Sequence, residues 1–465
     1  INSKHIDANY NLGLVFEKLK DFKNAINYYE KTIKIDGRNL NAINNLGIIY
    51  HELKEYKKAI SYYNELVKAN PNDPEIYNML GIANYKLGEF KKATDYYYKA
   101  IEIDSNYIRA HNNLGVLFHQ TQEFNKSKKH YEKAIEIDPH YVDAHFSLGM
   151  LFLSMSDFNN GFKKYEWRKK LPGKINISRL TKSLEWNGED LNNKTILIES
   201  EQGLGDIIQF SRYLYLLNKK YSVNIIFRTI KKVSHLFFRS KFKVISEEDS
   251  IPKHDYYKHL MSLPQIFFEK NKSFAPVSNF IPKDKKIILK WKEKLSSIDG
   301  FKVGINWQGD KNYGVDHLRS VPLNSFEELF KIKNINFISL QKGFGLEQIK
   351  NFKFKDKIHD FSLEVDNGQN VFEDTIGILD NIATIPVQCF KEVRDWLSVD
   401  KVYEYRQGDT YLAIFKNPYL QTFKAVTVPD TMPPGRVGKV VACVEGCRLL
   451  DDIIEADKCA KKFFK

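Results

Sequence analysis

Hydrophobic and polar positions repeat with a period of 34 over the first 170 residues. Leu-Gly pairs mark one column of this pattern, at Leu12-Gly13, Leu46-Gly47, Leu80-Gly81, Leu114-Gly115 and Leu148-Gly149. Other columns hold small residues (Ala25, Ala59, Ala93, Ser127, Gly161) and aromatic residues (Phe22, Tyr56, Phe90, Phe124, Phe158; Tyr29, Tyr63, Tyr97, Tyr131, Tyr165). Small residues let two helices approach closely and aromatic rings fill the space between them, so each period predicts one pair of packed helices. Pro71 and Pro139 close their units, where a helix must stop.

These columns resemble the tetratricopeptide repeat, whose helix pairs stack into a superhelix with a concave binding surface. The resemblance assigns residues 1–172 to an α-solenoid of five 34-residue units and implies a peptide or protein partner. In the related O-linked N-acetylglucosamine transferases, asparagines just before the Leu-Gly pair line the inner groove and hold an extended peptide. Asn11, Asn45 and Asn113 match that position, whereas Met79 and Ser147 depart from it. The alternative is that these asparagines are simply tolerated on an exposed helix face.

The helical pattern stops at a proline and a glycine, Pro172 and Gly173, and residues 173–190 are predicted to be a linker. A β-α-β unit is predicted next. Its elements are a buried strand at Thr195–Ile198, a turn containing Gly203 and Gly205, a helix beginning near Ile207 and a strand at Val223–Phe227.

Asp206 stands at the start of that predicted helix. Ligands of parallel sheets lie at the carboxyl ends of the strands, and glycines let a ligand come close to the backbone. Asp206 therefore either faces such a ligand or caps the helix, a role that aspartate fills well.

A longer set of short blocks resembles bacterial proteins that join tetratricopeptide repeats to a glycosyltransferase domain of the heptosyltransferase type. The resemblance covers roughly residues 5 to 381, and its blocks are Trp186-Asn187-Gly188, Ile196-Leu197-Ile198, Glu201 to Asp206, Gln209-Phe210, Arg212-Tyr213, Ser262-Leu263-Pro264, Val303 to Gly309, Arg319 to Leu323, Ile338 to Gly343 and Asp374-Thr375. It implies a GT-B architecture of two Rossmann-like halves, with residues 191–290 on the acceptor side and a partial donor side at 291–381. It also implies a nucleotide-sugar co-substrate and neither a metal nor another cofactor.

The same resemblance assigns roles to individual residues. Asp206 matches the general base that takes a proton from the acceptor hydroxyl, and it lies among turn and acceptor-side residues Gln202, Gly203, Gly205 and Gln209. The donor diphosphate needs cations, for which Lys342, Arg319 and Lys311 are the candidates. The alternative for these three is that they are surface basic residues in a lysine-rich chain. For His317, an exposed loop position is favoured over a proton carrier.

The resemblance ends near residue 381. The family continues with a strand and an Asp-Thr motif whose helix binds the donor diphosphate, but this sequence does not supply that motif. Residues 1–381 contain 37 Asn, 13 Val and no Cys, whereas residues 382–465 contain 1 Asn, 10 Val and all 4 Cys. This shift is typical of a segment of different origin. It is predicted to be a small α+β segment with a hairpin around Gln407-Gly408-Asp409, a strand at Val437–Val444 and a helix at Leu449–Phe464. Its cysteines are predicted to be buried thiols rather than metal ligands.

Charge, hydropathy and cysteine content limit the possible partners and location. The net charge of +13 is spread along the helices, so a solvated surface is favoured over a specific nucleic-acid partner. No apolar run of about 20 residues could span a membrane, although a membrane-surface acceptor fits the charge. The cysteine distribution favours a reducing, cytoplasmic location, and the first residue, Ile1, suggests that further repeats precede it. Two functions follow: a bacterial glycosyltransferase whose repeats recruit a protein partner, or a protein-binding scaffold with a degenerate, inactive transferase domain.

Overall fold

The structure is a computed structural model. It describes residues 5–172, 181–201, 203–271, 281–311, 320–331, 335–367 and 371–382, and the backbone of 383–384, 401–407, 410–417 and 422–429. The chain divides into two compact units. The first consists of Ile1–Glu199 and His254–Pro276, and the second of Ser200–Lys253 and Val277–Lys465.

The 34-residue period corresponds to helix pairs. The ten helices are α1 (Ile6–Lys18), α2 (Phe22–Ile35), α3 (Leu40–Glu52), α4 (Tyr56–Ala69), α5 (Pro74–Lys86), α6 (Phe90–Ile103), α7 (Ile108–Gln120), α8 (Phe124–Ile137), α9 (Val142–Ser154) and α10 (Phe158–Tyr165). Each Leu-Gly pair lies on the first helix of its pair. In the first four pairs the glycine faces a buried tyrosine of the second helix, so close that a Cβ atom at Gly13 or Gly115 would lie 2.5 Å from the ring of Tyr29 or Tyr131. The predicted close approach of the two helices is confirmed.

The turn inside each pair also keeps the period. One residue in it has a positive φ in every unit: Lys20 (58°), Lys54 (61°), Gly88 (79°), Gln122 (63°) and Ser156 (60°). Only Gly88 has the residue type that favours this conformation. The shared backbone is therefore imposed by the packing of the two helices.

The first unit continues past the helices into parallel strands. After a 3₁₀ helix at Glu166–Lys170 come β1 (Leu184–Glu185), β2 (Thr195–Glu199), β5 (Tyr256–His259) and α14 (Leu263–Asn271). β5 pairs in parallel with β1, Leu184 opposite Tyr256, and with β2, Ile196 opposite Tyr256. Trp186 and Leu191 are buried. The linker predicted at 173–190 therefore does not extend past Leu184, because these residues pack into the unit.

The second unit contains two groups of parallel strands. The elements are α11 (Leu204–Phe210), α12 (Arg212–Lys220), β3 (Asn224–Thr229), α13 (Lys231–Ser234), β4 (Lys243–Ser246), α15 (Lys285–Ser296), β6 (Phe301–Ile305), α16 (Glu327–Phe330), β7 (Ile335–Ser339), β8 (Ile358–Asp360), α17 (Glu373–Leu379) and β9 (Ala383–Thr384). β3 pairs with β4, Ile226 opposite Lys243. The other four strands lie in the order β8-β7-β6-β9, with Val303 opposite both Phe337 and Ala383.

This order has a consequence for ligand binding. Numbered along the chain, the four parallel strands read 3-2-1-4, so the strand order reverses beside the first strand. Open parallel sheets bind ligands at such a point, outside the carboxyl ends of the strands.

Two predicted boundaries differ from the structure. α15 runs without a break across residue 290, because Asp284 caps it and Trp291 and Leu295 bury its apolar face. The sheet also reaches Ala383–Thr384, beyond the predicted end at 381.

The last described segment is a three-stranded antiparallel meander of β10 (Lys401–Gln407), β11 (Thr410–Asn417) and β12 (Thr422–Pro429). β10 and β11 form the predicted hairpin, with Gln407 opposite Thr410. The third strand was not predicted. The predicted strand at 437–444, the predicted helix at 449–464 and all four cysteines lie outside the described residues.

Candidate functional site

The first helices of the five pairs present two parallel rows of side chains, which together we name the first-helix face. The amide row precedes the glycines and consists of Asn11, Asn45, Met79, Asn113 and Ser147. The aliphatic row lies three residues further along each helix and consists of Leu14, Ile48, Ile82, Val116 and Met150. Residues three apart lie on the same side of a helix. Leu14, Ile48, Ile82 and Val116 are only partly buried and Met150 is exposed, so this face offers both amides and apolar contact area.

Two of the asparagines connect neighbouring pairs. Asn113 Nδ2 donates to Asn78 Oδ1 of the preceding pair at 2.8 Å. Asn45 Nδ2 donates to the hydroxyl of Tyr29 at 3.0 Å and to that of Tyr10 at 3.4 Å. Their amides therefore link successive helix pairs.

The same separation of 35 residues recurs near the helix ends. Tyr85 donates its hydroxyl hydrogen to Gln120 Oε1, and His119 Nε2 lies 3.0 Å from Ser154 Oγ. Asn11 is exposed, and Asn45 and Asn113 are half-buried. The asparagines of the amide row were predicted from the sequence, but the bonds along the row and the aliphatic row beside it were not. A 34-residue column of apolar residues is the signal that could have found the latter.

Asp206 lies in the first turn of α11 and is partly exposed. The cap position is Gly203, with no side-chain capping bond. Within the part of the chain that the structure describes, the Asp206 carboxylate accepts no hydrogen bond, so the capping alternative has no contact to support it. A Cβ atom at Gly203 would meet only Asp206 Oδ2, at 3.8 Å, and one at Gly205 would meet no described atom within 4 Å. Packing of the described residues therefore does not require either glycine. Gln209 is exposed, and Gln202 lies outside the described residues.

Lys342 follows β7 and directs its ammonium to the loop after β8. It donates to the carbonyl oxygens of Val365 and Asp366, the latter at 2.6 Å, and to Asn367 Oδ1 at 3.2 Å. An ammonium has three hydrogens, so a phosphate at Lys342 would have to displace one of these partners. Lys311 is exposed, with Nζ 4.5 Å from the centre of the Phe344 ring. Arg319 and His317 lie outside the described residues.

Gln341 connects the loops that leave β6 and β7, a role that the sequence did not predict. Its side chain is 2% exposed. Its Oε1 accepts from the backbone N–H groups of Trp307 and Gln308 at 3.1 and 2.9 Å, and its Nε2 donates to the carbonyl oxygens of Gln308 and Phe344. These bonds set the shape of the carboxyl edge of this sheet.

The Asp374-Thr375 block anchors α17 to the loop before it. Asp366 Oδ1 accepts from the Asp374 backbone N–H at 2.8 Å, and its Oδ2 accepts from the Thr375 hydroxyl at 2.5 Å. Burial alone would raise the pKa of Asp374, but hydrogen bonds from Lys290 and Trp291 lower it. The block therefore has a structural role in the described chain.

Among the described residues there is no group of three or more His, Cys, Asp or Glu side chains placed to hold a metal ion. None of the helices described is long and apolar enough to cross a membrane.

Comparison with known proteins identifies the helical region. Residues 4–72, 40–106 and 108–141 match the Tetratricopeptide repeat family. The N-terminal region is built of tetratricopeptide repeats. These matches lie within residues 4–141, less than a third of the 465-residue chain, so they identify this region alone.

Individual relatives each match less than half of the chain. Protein FlbA of Caulobacter vibrioides is 23% identical over an alignment of 186 residues, which covers 36% of this chain and 31% of that protein. The chain thus spans about a third of this curated relative. Among solved structures, MamA is 26% identical with a TM-score of 0.32, covering 37% of this chain and 97% of its own. YrrB, described as a TPR protein with an unusual peptide-binding site, is 19% identical with a TM-score of 0.30, covering 36% and 87%.

Proposed function

We propose that the chain is a protein-binding scaffold whose first-helix face holds an extended segment of a partner protein. The observation that carries this proposal is the pair of rows on that face. The aliphatic row supplies partly exposed apolar area, and the amide row supplies polar groups at the same 34-residue spacing. An extended peptide has backbone groups that need hydrogen bonds and side chains that can be buried, and the two rows together meet both needs.

Photo-crosslinking tests this proposal. A benzoylphenylalanine placed at Ile82, in the aliphatic row, should crosslink to a partner polypeptide. The same residue placed at Lys91, an exposed position on the second helix of that repeat, is the matched control and should give no such product. Equal labelling at both positions would contradict the proposal, since the contact would then not be specific to the first-helix face.

Glycosyl transfer is a second candidate, and it draws support from the region around Asp206. The carboxylate lies in the first turn of α11 with no hydrogen bond among the described residues, next to two glycines that packing does not require. An acceptor hydroxyl is a poor nucleophile until a nearby carboxylate takes its proton, which is the role proposed for Asp206. The 3-2-1-4 order of β6–β9 is an arrangement that binds nucleotides at its carboxyl edge. A nucleotide-sugar donor, a GT-B architecture and a cytoplasmic location belong to this candidate.

Nucleotide binding separates the two candidates. Isothermal titration with UDP, GDP and ADP should give micromolar affinity for one of them if the chain is a transferase, and no heat of binding if it is only a scaffold. The Asp206→Asn variant should then lose transfer while keeping nucleotide affinity. A parallel loss of both would place Asp206 in nucleotide binding and not in proton transfer.

A further inference from the structure

Aromatic rings fill the space between the third and fourth helix pairs. His130 of α8 stacks on Phe118 of α7, with ring centroids 5.6 Å apart, and lies 5.8 Å from the ring of Tyr98 on α6. His130 Nδ1 is 3.2 Å from Nδ1 of His111. His130 is consequently buried, 9% exposed.

The next junction lacks this filling around Phe152, although Trp167 stacks on His145 with ring centroids 3.7 Å apart. The residues 34 positions later are Glu132 for Tyr98, His145 for His111, Phe152 for Phe118 and Lys164 for His130. Lys164 keeps the contact with the histidine, since its Nζ donates to His145 Nδ1 at 2.9 Å. Lys164 has no aromatic ring to stack on Phe152, whereas His130 stacks on Phe118. Glu132 likewise has no ring, whereas the equivalent residue one junction earlier is Tyr98.

A cavity of about 400 Å³ lies at this junction, between α8, α9 and α10. Its apolar part is formed by Ile135, Leu148 and Phe152. Ligand pockets in proteins generally enclose roughly 300–1,000 Å³, so this space is large enough for a small group.

The polar side chains around the cavity are mostly cationic. They are Lys128, Lys163 and Lys164 together with Glu132 and the uncharged Asn160, three positive charges against one negative. Lys128 lies 3.7 Å from Glu132, and its Nζ is 5.8 Å from the centre of the Phe152 ring. Lys163 is exposed, so a chain entering the cavity can leave it on that side.

We propose that this cavity, the fifth-repeat pocket, binds a peptide segment of a partner in which an aromatic side chain is flanked by carboxylates. The aromatic side chain occupies the space that Tyr98 and His130 fill one junction earlier and stacks on Phe152. The carboxylates pair with Lys128 and Lys163, whose charges exceed that of Glu132. The pocket contains no residue of the first-helix face, so this proposal goes beyond the proposed function.

Short peptides test the predicted chemistry with the full chain. Acetyl-Glu-Phe-Glu-amide should bind, as measured by isothermal titration or by saturation-transfer NMR. Acetyl-Glu-Ala-Glu-amide, which lacks the ring, and acetyl-Lys-Phe-Lys-amide, which reverses the charge, should each bind at least tenfold more weakly. Equal affinity for all three peptides, or no binding of the first, would overturn the proposal.

Two variants locate the binding. Glu132→Tyr/Lys164→His transplants the filling of the preceding junction and should weaken the acidic peptide at least tenfold. The Lys128→Glu/Lys163→Glu variant should also weaken binding of the acidic peptide at least tenfold, because the new carboxylates repel those of the peptide. Neither side chain has to be buried for the protein to fold. Lys31→Glu/Lys34→Glu on α2 makes an equal charge change at exposed positions and should leave the affinity unaltered.

Circular dichroism melting checks that each variant is folded. If the transplant variant is unfolded, the charge-reversal pair decides alone. The proposal is contradicted if either variant is folded and binds the acidic peptide as tightly as the parent chain. Crosslinking at Ile82 is independent of these results, so failure of the fifth-repeat pocket and failure of the first-helix face are distinguishable.

Discussion

At the scale of single residues, the contact between a glycine and a tyrosine decides how closely the helices of each pair pack. Gly115 faces Tyr131, whose side chain is 1% exposed. Burial of this phenol raises its pKa. The ring of Tyr131 is enclosed, so it has no room to move when a larger residue replaces Gly115.

Gly115→Ala should therefore destabilise the repeats, although alanine is the better helix former by about 1 kcal/mol. The new Cβ would lie 2.5 Å from the ring, and overpacking of this kind costs typically about 1–3 kcal/mol, so the clash outweighs the gain. Urea unfolding followed by circular dichroism measures the change. Gly37→Ala is the control, because its nearest atom is Ile33 O at 3.9 Å. A Gly115→Ala midpoint at or above that of the parent chain would show that the contact is not tight.

Single residues also show which contacts and backbone conformations could be predicted from the sequence. The Gly115–Tyr131 contact was predictable because both residues belong to columns of the repeat. The bond from Asn113 to Asn78 was not, because it depends on how one helix pair is rotated against the next. The positive φ at Gln122 was not predictable either, because among the equivalent turn residues only Gly88 is a glycine.

At the scale of elements, α6, α7 and α8 are joined by a hydrogen-bonded chain of neutral groups. His111 Nε2 must donate to the Ser105 carbonyl oxygen, 3.2 Å away, which leaves its Nδ1 as an acceptor. His130 then donates from Nδ1 to His111, and its Nε2 accepts from the Tyr98 hydroxyl at 3.4 Å. Burial lowers the pKa of His130 to about 4, and the positive charges that His111 and Lys129 can carry add to this effect.

This chain should make the repeats sensitive to acid. Between pH 6.5 and pH 4 the unfolded chain binds a proton at His130 and the folded chain does not. Stability is therefore lost as the pH falls through this window, by about 3 kcal/mol at most. The midpoints of urea unfolding at pH 7.5, 6 and 5 measure this loss of stability.

His130→Tyr is the matched variant, because the equivalent residues Tyr28 and Tyr62 stack on Phe16 and Tyr50 in the first two pairs. It should reduce the slope between pH 6.5 and pH 4 while remaining folded. Burial also lowers the pKa of other histidines in the repeats, which keep the rest of the slope (His51, His111, His119 and His145). An unchanged slope would assign the acid sensitivity to other groups.

Element order was easier to predict than element limits. The strands β2 and β3 were each predicted within two residues of their bounds, because buried strands are short apolar runs. The boundary at 290 failed because α15 is amphipathic and continues through it. For the candidate site, the sequence supplied Asp206 and its glycines. It could not show the bonds of Lys342, whose partners lie 23 to 25 residues further along the chain.

At the scale of the whole molecule, charged side chains connect the last repeat to the strands of the first unit. Arg168 is 1% exposed, donates from Nη1 to Glu166 Oε1 at 2.7 Å, and donates from Nη2 to Ser262 Oγ at 2.9 Å. Lys169 bridges Glu166 and Glu185, each at 2.6 Å, and Glu185 lies on β1. Burial alone would raise the pKa of Glu166, but Arg168 and Lys169 lower it to about 2.

Glu166→Gln should destabilise the first unit by about 3–5 kcal/mol, since it removes the carboxylate that pairs with the buried Arg168. Arg168→Met should cost a similar amount. The double variant should cost clearly less than the sum of the two, because it buries no unpaired charge. Urea unfolding followed by tryptophan fluorescence supplies the four midpoints of this cycle. Glu65→Gln is the surface control, because its partner Lys68 is 71% exposed, and it should leave the midpoint unchanged.

The pH dependence of this network runs in a lower window than that of His130. The carboxylate of Glu166 is more acidic in the folded chain than its ordinary value of 4.5, so its stabilisation is complete above pH 4.5 and is lost as the pH falls towards 2. The His130→Tyr variant should therefore keep an acid transition below pH 4.5, and Glu166→Gln should lose it while keeping the transition between pH 6.5 and pH 4. If both variants lose the same transition, the assignment of the two pH windows to His130 and Glu166 is wrong, because each group contributes its own pH dependence even in a unit that unfolds cooperatively.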